Sequence, residues 1–175
     1  MKSIVIYKSK YGSTKDYATW IAEAIGCKAV DVKMVKPEDL AQYDNIVFGG
    51  GIYAEMIAGI TIISKNIDKL KDKKIAVFTT GITPLDRREY YDNMVAPKNF
   101  KGGVPQNVKI FNYMGKMITE ELTPVHKAAI VALKKLMSGK KNPTDMEKLL
   151  IDLCDVSGDF CDKNAIKDLV EYIMG

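Results

Sequence analysis

The stretch Ser3-Ile4-Val5-Ile6-Tyr7-Lys8-Ser9-Lys10-Tyr11-Gly12-Ser13-Thr14 decides how the rest of the chain is read. Its first half is an unbroken apolar run rich in β-branched residues, which fits a strand covered on both faces. Its second half is short and hydroxyl-rich, and it leads directly into a helical pattern. From about 14 to 25, Tyr17, Ile21 and Ala24 share one helix face, and Ala18, Ala22 and Ile25 widen it. Strand, tight loop and helix in this order open an α/β unit. A helix N-terminus presents free backbone N–H groups and the positive end of the helix dipole, which together suit a phosphate. Gly12 lets the backbone turn, while Ser9, Ser13 and Thr14 add hydroxyls. The same residues also satisfy a plain strand–helix turn with Ser13 as N-cap. The dinucleotide fingerprint and the nucleotide-triphosphate loop are excluded, because both need glycines that are absent here.

Working outward, Asn45–Phe48 and Lys74–Thr79 are further continuous apolar runs, and Ala29–Val32 and Val108–Phe111 are weaker ones. Helices are expected between them, at about 58–70 and 122–138. Alternation at this spacing predicts a doubly wound parallel sheet with helices on both faces. Residues 80–107 are the least regular part, broken by Gly81, Pro84, Pro97, Gly102, Gly103 and Pro105. Val125–Lys141 is apolar on one side and lysine-rich on the other. It is expected to be an ordinary sheet-covering helix, with peripheral contact to an anionic membrane as the alternative. Thr144-Asp145-Met146-Glu147 forms a capping box after Pro143, ahead of Met146, Leu149, Leu150 and Leu153 at helical spacing. A last helix begins near Asp162 and carries Ile166, Leu169, Val170 and Ile173 on one face. These two amphipathic helices are expected to pack on the body. The expected organisation is therefore one α/β domain over 1–142 and a helical extension over 143–175.

Composition sets the outer bounds. The chain has 175 residues, 47% apolar and 27% charged, so a normal core is expected and wholesale disorder is not. Cys27, Cys154 and Cys161 cannot all pair and are read as reduced thiols, with Cys154 and Cys161 as packing residues. No run approaches 18 apolar residues, and Met1-Lys2 leads straight into a strand with no small-residue cleavage site, so a cytoplasmic protein is expected. Charge is uneven: residues 143–175 hold eight acids and three bases, a net of −5, which leaves +9 over residues 1–142. Such a body could meet an acidic partner or an anionic membrane, or could be a solvated lysine-rich surface. Nucleic acid is not expected as a partner. His126 is the only histidine, so no histidine-rich metal site is expected. It is assigned to the exposed first turn of its helix.

The loop Ser9-x-x-Gly12-Ser13-Thr14 between strand and helix resembles the Thr-x-Thr-Gly-x-Thr phosphate loop of the flavodoxins. Tyr11 stands where that family has a threonine, so its backbone N–H is the expected contact, and the lysines at 8, 10 and 15 depart from the pattern. Two more loops fall in register. Gly49-Gly50-Gly51-Ile52-Tyr53-Ala54-Glu55-Met56 follows the third expected strand, and Thr79-Thr80-Gly81-Ile82-Thr83-Pro84 follows the fourth. The glycine triplet alone would also suit a loop that merely needs positive φ. The resemblance is closest to the flavodoxin-like branch that includes menaquinone-dependent protoporphyrinogen oxidases, on Gly49-x-x-Ile52 and the lysine-rich turn at Lys71, Lys73 and Lys74.

What the resemblance implies is a flavodoxin-like doubly wound sheet of five parallel strands, order 2-1-3-4-5, with FMN at the switch point between the first and third strands, as the general rule for this fold states. The implied FMN contacts are Ser9, Lys10, Tyr11, Gly12, Ser13 and Thr14 for the phosphate. Gly50, Gly51, Ile52, Tyr53 and Ala54, with Thr80, Gly81 and Ile82, flank the ring. Tyr53 is the stacking candidate, ahead of Tyr90 and Tyr91. The implied function is electron transfer with a redox protein partner, expected to be acidic. The alternatives are an oxidoreductase of the protoporphyrinogen oxidase type with a quinone acceptor, and a flavin-free binding module. No catalytic side chain is assigned.

Overall fold

The computed structural model describes residues 1–175. Five parallel strands build the sheet: β1 (Ser3–Lys8), β2 (Ala29–Asp31), β3 (Asn45–Tyr53), β4 (Lys74–Gly81) and β5 (Val108–Met114), in the order β2-β1-β3-β4-β5. This is the order the sequence reading expects, and the fold is flavodoxin-like α/β. β3 lies at the centre and is buried from Asn45 to Gly51. Both of its faces meet side chains, which is why Ile46, Val47 and Phe48 form an unbroken apolar run.

The two faces carry separate cores. On one, Ile4, Ile6, Ile46, Phe48, Ile75 and Val77 pack under short helical turns at Pro37–Gln42, Thr61–Ser64 and Ile67–Leu70. The same face is covered by an irregular helix that runs from Arg88–Tyr90 through a π-helical turn at Tyr91–Val95 to Ala96–Asn99. On the other face, Val5, Val47, Ala76, Phe78 and Phe111 meet helix α1 (Ser13–Ala24) and the segment from Lys163 onward. Gly49 has a packing reason: a Cβ there would lie 2.0 Å from the Phe78 ring. Alanine at this position would displace a fully buried phenylalanine.

Three expectations need correction. The continuous helix at about 58–70 is instead one α-turn, Thr61–Ser64, and one 3-10 turn, Ile67–Leu70. The run Ile60-Thr61-Ile62-Ile63 is β-branched and helix-poor, Gly59 sits at φ +79°, and the Asn66 side chain donates to the Ile62 carbonyl at 3.0 Å. Next, the stretch after Phe48 is not a loop. β3 continues to Tyr53 and turns back through Ala54 and Glu55 into a two-residue antiparallel strand, Met56–Ile57.

Last, helix α2 (Pro124–Ser138) does not cover the sheet. Neither it nor helix α3 (Asp145–Leu153) buries a single residue fully, and the two pack on each other. They hang from a short antiparallel ribbon, Lys116–Met117 paired with Gly158–Asp159, beyond the end of β5. The sheet face is covered instead by helix α4 (Lys167–Met174), whose Leu169 and Ile173 are wholly buried. The expected capping box at the start of α3 is present, with Thr144 Oγ1 accepting from the Glu147 N–H and Glu147 accepting from the Thr144 N–H. No helix is long and apolar enough to cross a membrane.

Candidate functional site

The C-terminal ends of β1, β3 and β4 open into one cavity of about 580 Å³. This is where ligands collect in open α/β sheets, beside the strand at which the winding reverses. β1 delivers the first wall. Gly12 occupies the N-cap of α1 at φ +101°, a left-handed conformation that only glycine adopts without strain, and no side chain caps the helix. The free N–H groups of the first turn of α1 are therefore available to an anion. Ser9 lies behind the loop and accepts a hydrogen bond from the Gly12 N–H at 3.2 Å. Lys10, Tyr11, Ser13 and Thr14 line the cavity directly.

Thr14 is 3% exposed, and its Oγ1 shares a 2.7 Å hydrogen bond with Thr80 Oγ1. It thus ties the loop after β1 to the end of β4, a role distinct from that of a free phosphate hydroxyl. Lys116, from the ribbon, lies over the same loop: its Nζ would be 3.4 Å from a Cβ on Gly12. Its own acidic neighbour, Glu121, is 3.8 Å away. A cation at this end suits a phosphate, and no spacing in the chain links Lys116 to the loop it covers.

The second wall is the hairpin that closes β3. Ala54 and Glu55 form its two-residue turn with φ of +46° and +61°, conformations that side chains other than glycine rarely take. Two attachments hold the turn. Buried Asn99 accepts from the Ile57 N–H at 2.9 Å and donates to the Glu55 carbonyl at 2.8 Å, and Lys98 pairs with the Glu55 carboxylate. Gly51, Ile52, Tyr53 and Ala54 line the cavity, whereas Gly50 does not. A Cβ on Gly50 would lie 2.5 Å from the Ala58 carbonyl, so this glycine makes room for backbone rather than for a ligand. Tyr53 stands at the rim, 38% exposed. Partial burial, with the Tyr11 phenol nearby, pushes its phenol pKa up.

Thr80, Gly81 and Ile82 form the third wall, at the end of β4. A Cβ on Gly81 would meet only the Ile52 side chain, at 3.9 Å, so the backbone here lines the cavity without crowding it. Tyr90 reaches the cavity from the irregular helix, while Tyr91 turns away and donates to the Thr83 carbonyl at 2.7 Å. Of the residues expected from sequence, the structure brings together all but Ser9, Gly12 and Gly50, and two of those three shape the phosphate loop from behind.

The fourth wall comes from outside the strand-end loops. Helix α2 lies across the mouth with Ala129, Ile130, Leu133 and Met137 turned inward, joined by Leu150 of α3 and by Met117 and Leu122 from the neck. His126 belongs here, not to the free surface. Its Nδ1 is 2.6 Å from Tyr11 Oη, and its Nε2 is 3.4 Å from Lys10 Nζ. Its ring also lies 5.3 Å from that of Tyr53. The cavity is thus polar and N–H-rich at the α1 end, with glycine backbone in the middle and an apolar roof. That set of surroundings fits FMN: a terminal phosphate at the α1 N-terminus and a flat ring between the strand-end loops. No group of three or more His, Cys, Asp or Glu side chains is placed to hold a metal ion.

A family model described as a flavodoxin domain matches residues 4–146. An uncharacterised protein of Methanocaldococcus jannaschii is 29% identical over 105 residues, which is 58% of this chain and 69% of that protein. Among solved structures, a flavodoxin from the domain Archaea matches over 100% of both chains at 17% identity, with a TM-score of 0.43. The two-electron reduced flavodoxin of Megasphaera elsdenii is 18% identical, covering 63% of this chain and 82% of its own, with a TM-score of 0.43. A crystal structure of a Fusobacterium nucleatum flavodoxin variant bound to flavin mononucleotide is also 18% identical, covering 69% and 72%, with a TM-score of 0.38.

Proposed function

The chain belongs to the flavodoxin family, whose cofactor is FMN, and on that premise we propose that it carries electrons between this flavin and a protein partner. One observation supports the reading above others: an uncapped helix N-terminus and two ring-flanking loops open into a single cavity at the switch point of the sheet. FMN supplies the redox chemistry when bound, and the protein supplies binding, orientation and electrostatics. Ser13, the N–H groups of the first turn of α1 and Lys116 hold the phosphate end. The backbone at Gly81 lets a flat ring approach closely, while Gly51 makes room for the ring of Tyr53, which stacks on the flavin. Titration of the apo-protein with FMN and riboflavin, followed by flavin fluorescence, tests the assignment. Tighter binding of FMN is expected, and equal affinity would overturn the phosphate loop.

The proposed partner is acidic, though the basic surface beside the site is weaker than the residue count implies. Arg87 is 3.9 Å from Asp86, Arg88 is 3.5 Å from Asp92, and Lys98 pairs with Glu55. Lys101 is exposed and pairs with no acid. Steering through such a surface gives an electron-transfer rate that falls modestly as salt rises. A rate that climbs with salt would argue against docking through this face.

A second reading draws on the apolar roof. A small-molecule oxidoreductase of the protoporphyrinogen oxidase type, with a quinone as acceptor, would need an apolar wall facing the ring, and α2 provides one. Turnover of a porphyrinogen by the FMN-loaded protein separates this reading from a pure carrier.

A further inference from the structure

The hairpin of α2 and α3 has the anatomy of a movable part. It joins the body through a two-residue ribbon, Lys116–Met117 with Gly158–Asp159, extended by the Thr119 N–H donating to Ser157 Oγ at 3.1 Å. Neither helix contains a fully buried residue, in contrast to α1 and α4. Segments with so little burial open at a small fraction of the global unfolding free energy. Yet the underside of α2 is apolar and forms one wall of the cavity. Ile130, Leu133 and Met137 recur at helical spacing on it, with no acid anywhere on this helix.

The hairpin is also fastened at its inner end. Tyr11 Oη meets His126 Nδ1 at 2.6 Å and accepts from the Thr123 N–H at 3.4 Å. The Tyr11 and His126 rings are 5.5 Å apart edge-on, with Tyr53 on the other side of the histidine. Three rings thus cluster beside the phosphate loop, where the hairpin meets the body. At the far end, Met146 of α3 leans on the core beneath the irregular helix.

We propose that α2 and α3 form a cap, hinged on the ribbon and latched by Tyr11 and His126, whose apolar underside is the outer wall of the flavin site. The cap lifts to admit FMN and closes over the isoalloxazine, so that Ile130 and Leu133 cover the face of the ring turned away from the sheet. This rests on the FMN reading given above. It makes cofactor release depend on residues far in sequence from the phosphate loop.

Hydrogen exchange of the intact protein, with and without FMN, tests the cap directly. Amides of α2 and α3 should exchange about tenfold or more slowly in the complex, because closure removes their local opening. In parallel, Leu133→Asp, which puts a charge on the apolar underside, should speed FMN dissociation by about tenfold or more. Val131→Asp, on the outer face where Val131 is 67% exposed, should leave dissociation unchanged. If α2 exchange is the same with and without bound FMN, or Leu133→Asp releases FMN within about twofold of the wild-type rate, the cap is refuted while the FMN reading stands. Failure of the wild-type protein to bind FMN at all would overturn both.

Discussion

Lys116 shows how a side chain can matter to a site without belonging to its motif. It is remote from the phosphate loop in sequence, and only the ribbon brings its ammonium over Gly12. Lys116→Gln should weaken FMN by about 1–2 kcal/mol, the scale of a charge-assisted contact, and leave riboflavin unchanged. Parallel titrations of the variant with both flavins measure this difference. Thr14 behaves differently. Because its hydroxyl is buried against Thr80, Thr14→Ala strands a partner and frees the loop after β1 that frames the phosphate site. A loss of about 1–2 kcal/mol in folding stability is expected, read from the urea midpoint, alongside weaker FMN. From sequence, Thr14 could be placed by its offset from Gly12, but its orientation could not, since that depends on a strand 66 residues away. The surroundings of His126 are hidden for the same reason: a lone polar residue in a first turn carries no sign of what the helix faces.

At the level of elements, the β3 hairpin concentrates the strain. Ala54 and Glu55 both sit in the left-handed region, where a residue with a Cβ costs about 1–2 kcal/mol. Ala54→Gly should raise stability by about 1 kcal/mol, measured by urea denaturation. Asn99 holds this turn in place with bonds to Ile57 N–H and the Glu55 carbonyl. Asn99→Ala leaves both groups unpaired, should cost about 2–3 kcal/mol, and should loosen FMN because the hairpin carries Tyr53. The parallel strands were legible because a strand covered on both faces writes itself as an unbroken apolar run, as in Ile46-Val47-Phe48. The hairpin was not, because Gly49-Gly50-Gly51 has the composition of a loop. Gly49 and Gly50 are there to admit Phe78 and the Ala58 backbone, neighbours that local sequence does not reveal. Helix α2 was legible as a helix, but an apolar face says only that something apolar opposes it.

Across the whole molecule, Tyr17 is the tie between distant parts. Its hydroxyl donates to the Met114 carbonyl and accepts from the Asp162 N–H, both at 2.9 Å, and its ring stacks on Tyr113 at 4.8 Å. Burial raises its pKa to about 12, against an ordinary value near 10. The group is neutral when folded, so its contribution is complete below about pH 10 and is lost as pH rises towards 12. Urea midpoints should therefore fall across that window, and Tyr17→Phe should flatten the fall while costing about 1–3 kcal/mol at neutral pH. Burial raises Tyr91 and Tyr113 as well, so the variant should reduce the slope without abolishing it.

The order of parts along the chain has a consequence for synthesis. The sheet is complete once β5 has been made, at Met114, but part of one face stays uncovered until α4 follows from Lys167 onward. The ribosome must first make the cap, about 50 residues, which takes roughly 3–10 s at about 5–20 residues per second. During that interval Phe78, Phe111 and their neighbours lack the helix that shields them, and the nascent chain exposes a patch fit for chaperone capture or for pairing with a second nascent sheet.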